Sequence, residues 1–178
     1  MLNGDENGAF DPDGELTRAE LCALVVQAMG YWCWQSQGRA PFADVPEDAW
    51  YANAVDILYH LGLLQGDEKG NFNPDPLIDH QQFLTILARV GSQADMTVRQ
   101  AVTDAAELDH SAAAAFGAWA QDAVLALDEL DILLEPLTDM DPTAATTRAE
   151  AAALMYNFMA YSGILTSVET GEAAAAAS

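Results

Sequence analysis

The chain has 178 residues, 51% of them apolar, enough to fill one domain or a few small units sharing a core. Its 28 acidic residues face only six basic ones, and the resulting formal charge of −22 repels nucleic acid and anionic lipid, which argues against a basic-groove function. No apolar run reaches the roughly 20 residues of a membrane span.

The first residues, Met1-Leu2-Asn3-Gly4-Asp5, lack the basic and hydrophobic regions of a signal peptide, so the expectation is either an internal protein or a piece of an exported one. From Gly8 to Glu20 the chain reads as a turn, a staple and a helix start: Gly8-Ala9-Phe10-Asp11-Pro12-Asp13-Gly14-Glu15-Leu16-Thr17-Arg18-Ala19-Glu20. Thr17 is placed as an N-cap, with Glu20 three residues on to close a capping box and Leu16 with Leu21 to form the hydrophobic staple. Leu24, Val25 and Ala28 continue an apolar stripe up to Gly30, which predicts a helix over 18–29.

A Gly- and Pro-containing connection over 31–41 breaks the periodicity and carries Trp32 and Trp34. Phe42-Ala43-Asp44-Val45-Pro46 then leads into a helix with Asp48 as its expected cap and Trp50, Ala54, Leu58 and Leu61 at helical spacing. After it the opening pattern returns as Gly70-Asn71-Phe72-Asn73-Pro74 and Ile78-Asp79-His80-Gln81-Gln82. Here Asp79 is the cap, Gln82 its reciprocal partner, and Ile78 with Phe83 the staple.

A third, looser copy follows. Val102-Thr103-Asp104-Ala105 takes the place of Phe42 to Val45, an alanine run intervenes, and Trp119 opens a repeat of the Trp50 helix. Thr147 and Glu150 form the last capping box, although Thr146 and Ala151 make a poor staple. The unit is thus a Trp-bearing helix, a Gly-x-Phe-x-Pro loop and a capped helix. No run of alternating β-branched residues appears, and helices this short must share a core, so the fold expected is all-α. The expected boundaries are 1–36 for the second half of repeat 1, 37–95 for repeat 2, 96–162 for repeat 3, and 163–178 for a low-complexity tail or linker.

Arg18 and Arg148 stand out among the six basic residues, because a cation in the first turn opposes the helix dipole unless something compensates it. A bound carboxylate would do so, and so would a salt bridge to an acidic side chain. For Trp50 and Trp119 a core position leads over an exposed rim position; Trp32 and Trp34 are the better candidates for exposed stacking contacts. Cys22 and Cys33 are read as buried thiols, with one local disulfide as the alternative. An EF-hand-like reading of the loop before Glu20 puts Ala9 where a carboxylate is needed. His60, His80 and His110 show no nucleophile–base or metal spacing, so no catalytic residue, metal or cofactor is assigned.

The combination Phe-x-Asp-Val, helix Trp and Ala, Gly-x-Phe-x-Pro and Thr-Arg-Ala-Glu resembles the S-layer homology module of bacterial surface proteins, known as three tandem copies. The resemblance implies a pseudo-threefold, three-lobed helical domain whose grooves bind acidic, often pyruvylated, secondary cell-wall polysaccharide and anchor a larger exported protein at the cell surface. It implies ligand-binding roles for Arg18, Arg148, Glu20, Glu150, Gly8, Gly70, Asp44, Trp50 and Trp119. His80 replaces the motif arginine in the second copy, and Thr138 and Met140 replace loop residues in the third. The rival is a degenerate helical scaffold for protein–protein assembly, in which the stripe Leu24-Val25-Ala28 awaits a partner helix from another chain.

Overall fold

The structure, a computed structural model, describes residues 11–31 and 38–164. Gly8, Trp32, Cys33, Trp34 and the alanine-rich tail lie outside the described residues. Within them the chain is all-α: α1 (Arg18–Ala28), α2 (Ala52–His60), α3 (His80–Ala94), α4 (Met96–Ala105), α5 (Gln121–Glu129) and α6 (Arg148–Tyr161).

The three capped helices start as their sequences dictate. At α1 the Glu20 amide donates to the Thr17 hydroxyl at 3.3 Å, and the Thr17 amide donates to Glu20 Oε2 at 2.8 Å. At α6 Thr147 and Glu150 repeat both bonds at 3.3 and 2.7 Å. At α3 Asp79 accepts the Gln82 amide at 2.8 Å, but the expected reciprocal bond to backbone is replaced: Gln82 Nε2 donates to Asp79 Oδ2 at 2.7 Å. The cause is electrostatic. A carboxylate cap repels a carboxylate three residues on, so Asp79 calls for a neutral amide there, whereas a threonine cap accommodates glutamate.

These starts then lock together in a cycle. The Leu16 amide donates to Thr146 O, the Thr146 amide to Ile78 O, and the Ile78 amide to Leu16 O, each at 2.9 Å. The first two amides of each of these three helices, unpaired within the helix itself, donate to a proline-containing loop of a neighbouring segment: Arg18 and Ala19 to Pro76 O and Pro74 O, His80 and Gln81 to Ala144 O and Pro142 O, Arg148 and Ala149 to Gly14 O and Pro12 O. The Phe-x-Pro loops therefore act as caps for helices distant in sequence. Proline suits this use, because its carbonyl accepts while its nitrogen has no proton left to satisfy.

At the centre of the cycle Leu16, Ile78 and Thr146 are all fully buried. The Thr146 hydroxyl has no hydrogen-bond partner among the described residues, and this is what the poor staple of the third copy means structurally. Thr146→Val should raise stability by about 1 kcal/mol, because it deletes an unsatisfied buried hydroxyl at nearly constant shape. Thermal unfolding of the variant checks this; a lower Tm would show that the hydroxyl is satisfied.

Two expectations are corrected. The stripe on α1 needs no helix from another chain: α2 packs against α1, and Leu24 and Val25 are buried. The helix after Asp48 starts later than its cap signal, at Ala52 with Tyr51 as a cap that makes no side-chain bond, leaving Trp50 in the preceding turn. A further helix was not read from the sequence. Asp95 ends α3 in an extended conformation and caps α4, its Oδ1 accepting from the Thr97 amide at 2.6 Å. Residues 102–105 thus finish a helix, unlike the turn at 42–45. α3 packs against α4, α5 and α6, and α4 against α5.

Candidate ligand groove at the Arg18 interface

The site begins with a loop held from inside. Asp67 Oδ1 accepts the Lys69 and Asn71 amides at 2.9 Å, and Asn73 Nδ2 donates to Oδ2 at 3.0 Å. The Asn73 side chain first, and the Asn71 and Lys69 amides with it, pull the Asp67 carboxyl down to about 2. Asp44 reaches the same loop from 28 residues upstream: its Oδ1 accepts the Phe72 amide at 2.8 Å and its Oδ2 the Asn73 amide at 2.7 Å. Both oxygens of Asp44 are engaged, so it positions the loop and is not presented to a ligand. Gly66 is required by close approach, since a Cβ there would lie 2.6 Å from the Phe42 ring and 2.8 Å from the Asn71 carbonyl oxygen.

The loop in turn holds Arg18. Arg18 Nε donates to Phe72 O at 3.0 Å, Nη2 donates to Gln65 O at 2.7 Å, and the guanidinium carbon sits 5.1 Å from the Phe72 ring centroid. The expected conflict with the helix dipole is relieved by these carbonyls and by the aromatic face. Burial lowers the Arg18 pKa against an opposing effect of Cys22, and the neighbouring Arg89 adds a smaller lowering. Among the described residues no carboxylate stands within ion-pair distance of Arg18. Burial likewise pushes the Cys22 thiol up to about 12, so it is an inert core group.

Arg18, Gln65, Gln82, Ile86, Arg89 and Trp119 line a groove of about 100 Å³. It continues past Arg89 and Trp119 into a larger one of about 330 Å³ that reaches Gly62, Ser92 and Asp122. Arg89 was not identified from the sequence. It is exposed, and no hydrogen bond or ion pair engages it among the described residues. A signal was present: Gln82, Ile86 and Arg89 follow one another at i, i+4, i+7 on α3, so a basic residue scarce in this chain shares a face with the cap region.

The two helix tryptophans are corrected from core to surface. Trp50 is 67% exposed and Trp119 57%. Each lies in the turn before its helix, and the apolar stripes start after them, at Ala52 and Ala120. Trp50 leans edge-on against Tyr51, with ring centroids 5.3 Å apart. Trp119 is the one that meets the groove.

At the other two interfaces the first-turn basic side chain faces a carboxylate. Arg148 Nη1 lies 3.5 Å from Glu20 Oε1, and its side chain is only 13% exposed. His80 takes the place of Arg18 in α3: its Nδ1 is 2.8 Å from Asp141 O and its Nε2 3.5 Å from Glu150 Oε2. Burial raises the Glu150 carboxyl, but the Thr147 amide and hydroxyl and the adjacent His80 outweigh it, leaving Glu150 below its ordinary value. The pocket beside His80, of about 120 Å³, is lined by Leu84, Leu134, Met140 and Leu154 with two glutamates. Gly70 supplies a left-handed turn with φ 80°, its amide donating to Asp67 O at 3.0 Å, and it faces open space. Asp104 does not repeat the work of Asp44; it accepts from Gln100 Nε2 within its own helix at 2.7 Å.

Capped helices cross-linked through proline loops, with one groove that presents cations and an indole, define a helical repeat module suited to binding an anionic ligand. Residues 2–22 and 41–84 match the family model of the S-layer homology domain. The chain is similar to an amylopullulanase of Thermoanaerobacterium thermosulfurigenes, 28% identical over 92% of this chain and 8% of that protein. It is also similar to the S-layer protein sap of Bacillus anthracis, 25% identical over 85% of this chain and 17% of that protein, and to the surface-layer 125 kDa protein of Lysinibacillus sphaericus, 29% identical over 49% and 7%. The chain thus spans less than a fifth of the length of these relatives. S-layer homology domains of S-layer and cell-surface proteins serve cell-wall anchoring. No helix among the described residues is long and apolar enough to cross a membrane.

Proposed function

We propose that the chain binds an acidic bacterial cell-wall polysaccharide and so attaches a larger exported protein at the cell surface, without covalent chemistry. The observation that carries this is the Arg18–Arg89–Trp119 groove. In a chain of charge −22, two arginines come together there with no carboxylate between them, beside an exposed indole. Arg18 Nη1 has no protein partner among the described residues and can give its hydrogen bonds to a sugar carboxylate, while Arg89 adds a second charge and the Trp119 face suits a pyranose ring. The residues named from the sequence take graded parts in this reading. Asp44 and Gly70 shape the loop; Glu20, Glu150 and Arg148 hold the ring of caps; Trp50 is a second exposed aromatic, packed on Tyr51.

The boundaries 1–36, 37–95 and 96–162 are proposed as three repeats of one three-lobed unit, supported by the cyclic bonds of Leu16, Ile78 and Thr146. The scaffold alternative keeps His80-Gln81-Gln82 and the looser third loop in its favour, but not an uncovered α1 stripe, since α2 packs on it. Sedimentation with purified walls tests the reading. Arg18→Ala and Arg89→Ala should each weaken binding by tenfold or more, and Arg99→Ala, whose Nε donates to Ser92 O, should change it little. Equal binding by all three folded variants would remove the groove from the mechanism.

A further inference from the structure

The three cap interfaces are alike in backbone and differ in one place. Glu20, Gln82 and Glu150 stand at the same third position of α1, α3 and α6, each bonded back to its own cap. In two cases the side chain there also meets the first-turn basic side chain of another capped helix: Glu20 lies 3.5 Å from Arg148 and Glu150 lies 3.5 Å from His80. In the third, Gln82 lines the groove beside Arg18 and brings no charge. The negative charge has moved to Asp79, where it accepts from the Gln82 amide and Gln82 Nε2 and forms the α3 cap.

Resting on the wall-attachment reading, we propose that Gln82 is the residue that determines anion binding in this chain: it leaves Arg18 and Arg89 unneutralised, whereas Glu20 closes its interface on Arg148 with an ion pair and Glu150 closes its interface on the His80 imidazole. A glutamate at position 82 would lie in a groove with two guanidinium groups and act as a tethered competitor at very high effective concentration. An external carboxylate would have to displace it. The paired exchange of Thr for Asp at the cap and Glu for Gln at the third position is therefore the device by which one of three similar interfaces becomes selective for an anion.

The test uses purified wall polysaccharide and the same polymer after carboxyl reduction, titrated calorimetrically against the full chain. Wild type should bind the native polymer at least tenfold more tightly than the reduced one. Gln82→Glu should lose at least tenfold toward the native polymer, and Gln82→Met, neutral and of similar length, should stay within threefold of wild type. Because Gln82→Glu faces Asp79 and can weaken the α3 cap, the double variant Asp79→Thr/Gln82→Glu restores the Thr-x-x-Glu pattern of the other two helices. It should unfold at the wild-type temperature and still fail to bind. His80→Ala should bind as wild type does. If the folded double variant binds like wild type, or if His80→Ala loses as much as Gln82→Glu, the role of Gln82 is refuted while attachment to the wall stands. If wild type binds neither polymer, the attachment reading fails and the proposal falls with it.

Discussion

Asp44→Ala is expected to lower the stability of the chain by about 3 kcal/mol and its Tm by about 6–12 °C, and to weaken wall binding in the same step. The carboxylate accepts two backbone amides, of Phe72 and Asn73, at 2.8 and 2.7 Å. Bonds to a charged acceptor contribute about 1.5–3 kcal/mol each, and the half-exposed position of Asp44 argues for the lower end. The functional loss follows from connectivity. Phe72 O is the acceptor for Arg18 Nε, and the Phe72 ring lies under the guanidinium, so a loop released at Asp44 also releases the cation of the groove. Asp44→Asn keeps one good acceptor and should recover about half of the stability. Two readings decide the matter: thermal unfolding of both variants, and wall binding measured well below the Tm of Asp44→Ala. A variant that is destabilised yet binds normally would separate the loop from the site.

That connection explains which parts of the protein the sequence discloses. Caps are local, because Thr17–Glu20 and Thr147–Glu150 bond within one helical turn, so their spelling suffices to place α1 and α6 to within a residue. The resemblance across copies likewise located the proline loops. What those loops do is not local: Pro12, Pro74 and Pro142 each satisfy an amide of a helix distant in sequence, and no window of residues carries that information. The surroundings of Arg18 were hidden for the same reason. Its position against the helix dipole was legible, with a bound carboxylate or a salt bridge as the compensation expected, but the two carbonyls that tertiary folding brings to it, those of Gln65 and Phe72, were not.

The tryptophans show a different limit. Helical spacing from Trp50 to Leu61 suggested a single buried stripe, but periodicity does not say where a helix starts, and the two indoles precede their helices in turns that face outward. Arg89 shows the converse, a residue on an unremarkable helix face that matters only because the turn holding Trp119 and the first turn of α1 meet it. Asp95 was missed because the Ala-Asp-Met-Thr stretch can pass for continued helix. Its side chain turns the chain by bonding the Thr97 amide, and α4 then packs against α3 and α5.

The second large effect is expected at the crossing of α3, α4 and α6. Phe158→Ala should cost about 4 kcal/mol, within the range for removing a fully buried aromatic ring, and the unfolding midpoint should fall by about 8–16 °C. The ring is placed against a helix with a glycine at the contact. A Cβ on Gly91 would lie 2.8 Å from Phe158 Cε2 and 2.7 Å from Val98 Cγ1, so Gly91 exists to let α6 and α4 approach α3 closely. Gly91→Ala sets two terms against each other. Helix propensity favours alanine by about 1 kcal/mol, and overpacking against two side chains opposes it by about 1–3 kcal/mol, so a net loss of about 1 kcal/mol is expected in the wild-type background. In the Phe158→Ala background half of the clash is gone, and the cost of Gly91→Ala should shrink by about 1 kcal/mol or change sign. The coupling in that double-mutant cycle is the measurement, since additive effects would mean that the two residues do not share the contact. Gly91 lies only two positions beyond Arg89 on α3, so the same crossing fixes the helix from which Arg89 reaches the groove. Loosening it should therefore weaken wall binding even though neither Gly91 nor Phe158 lines the groove.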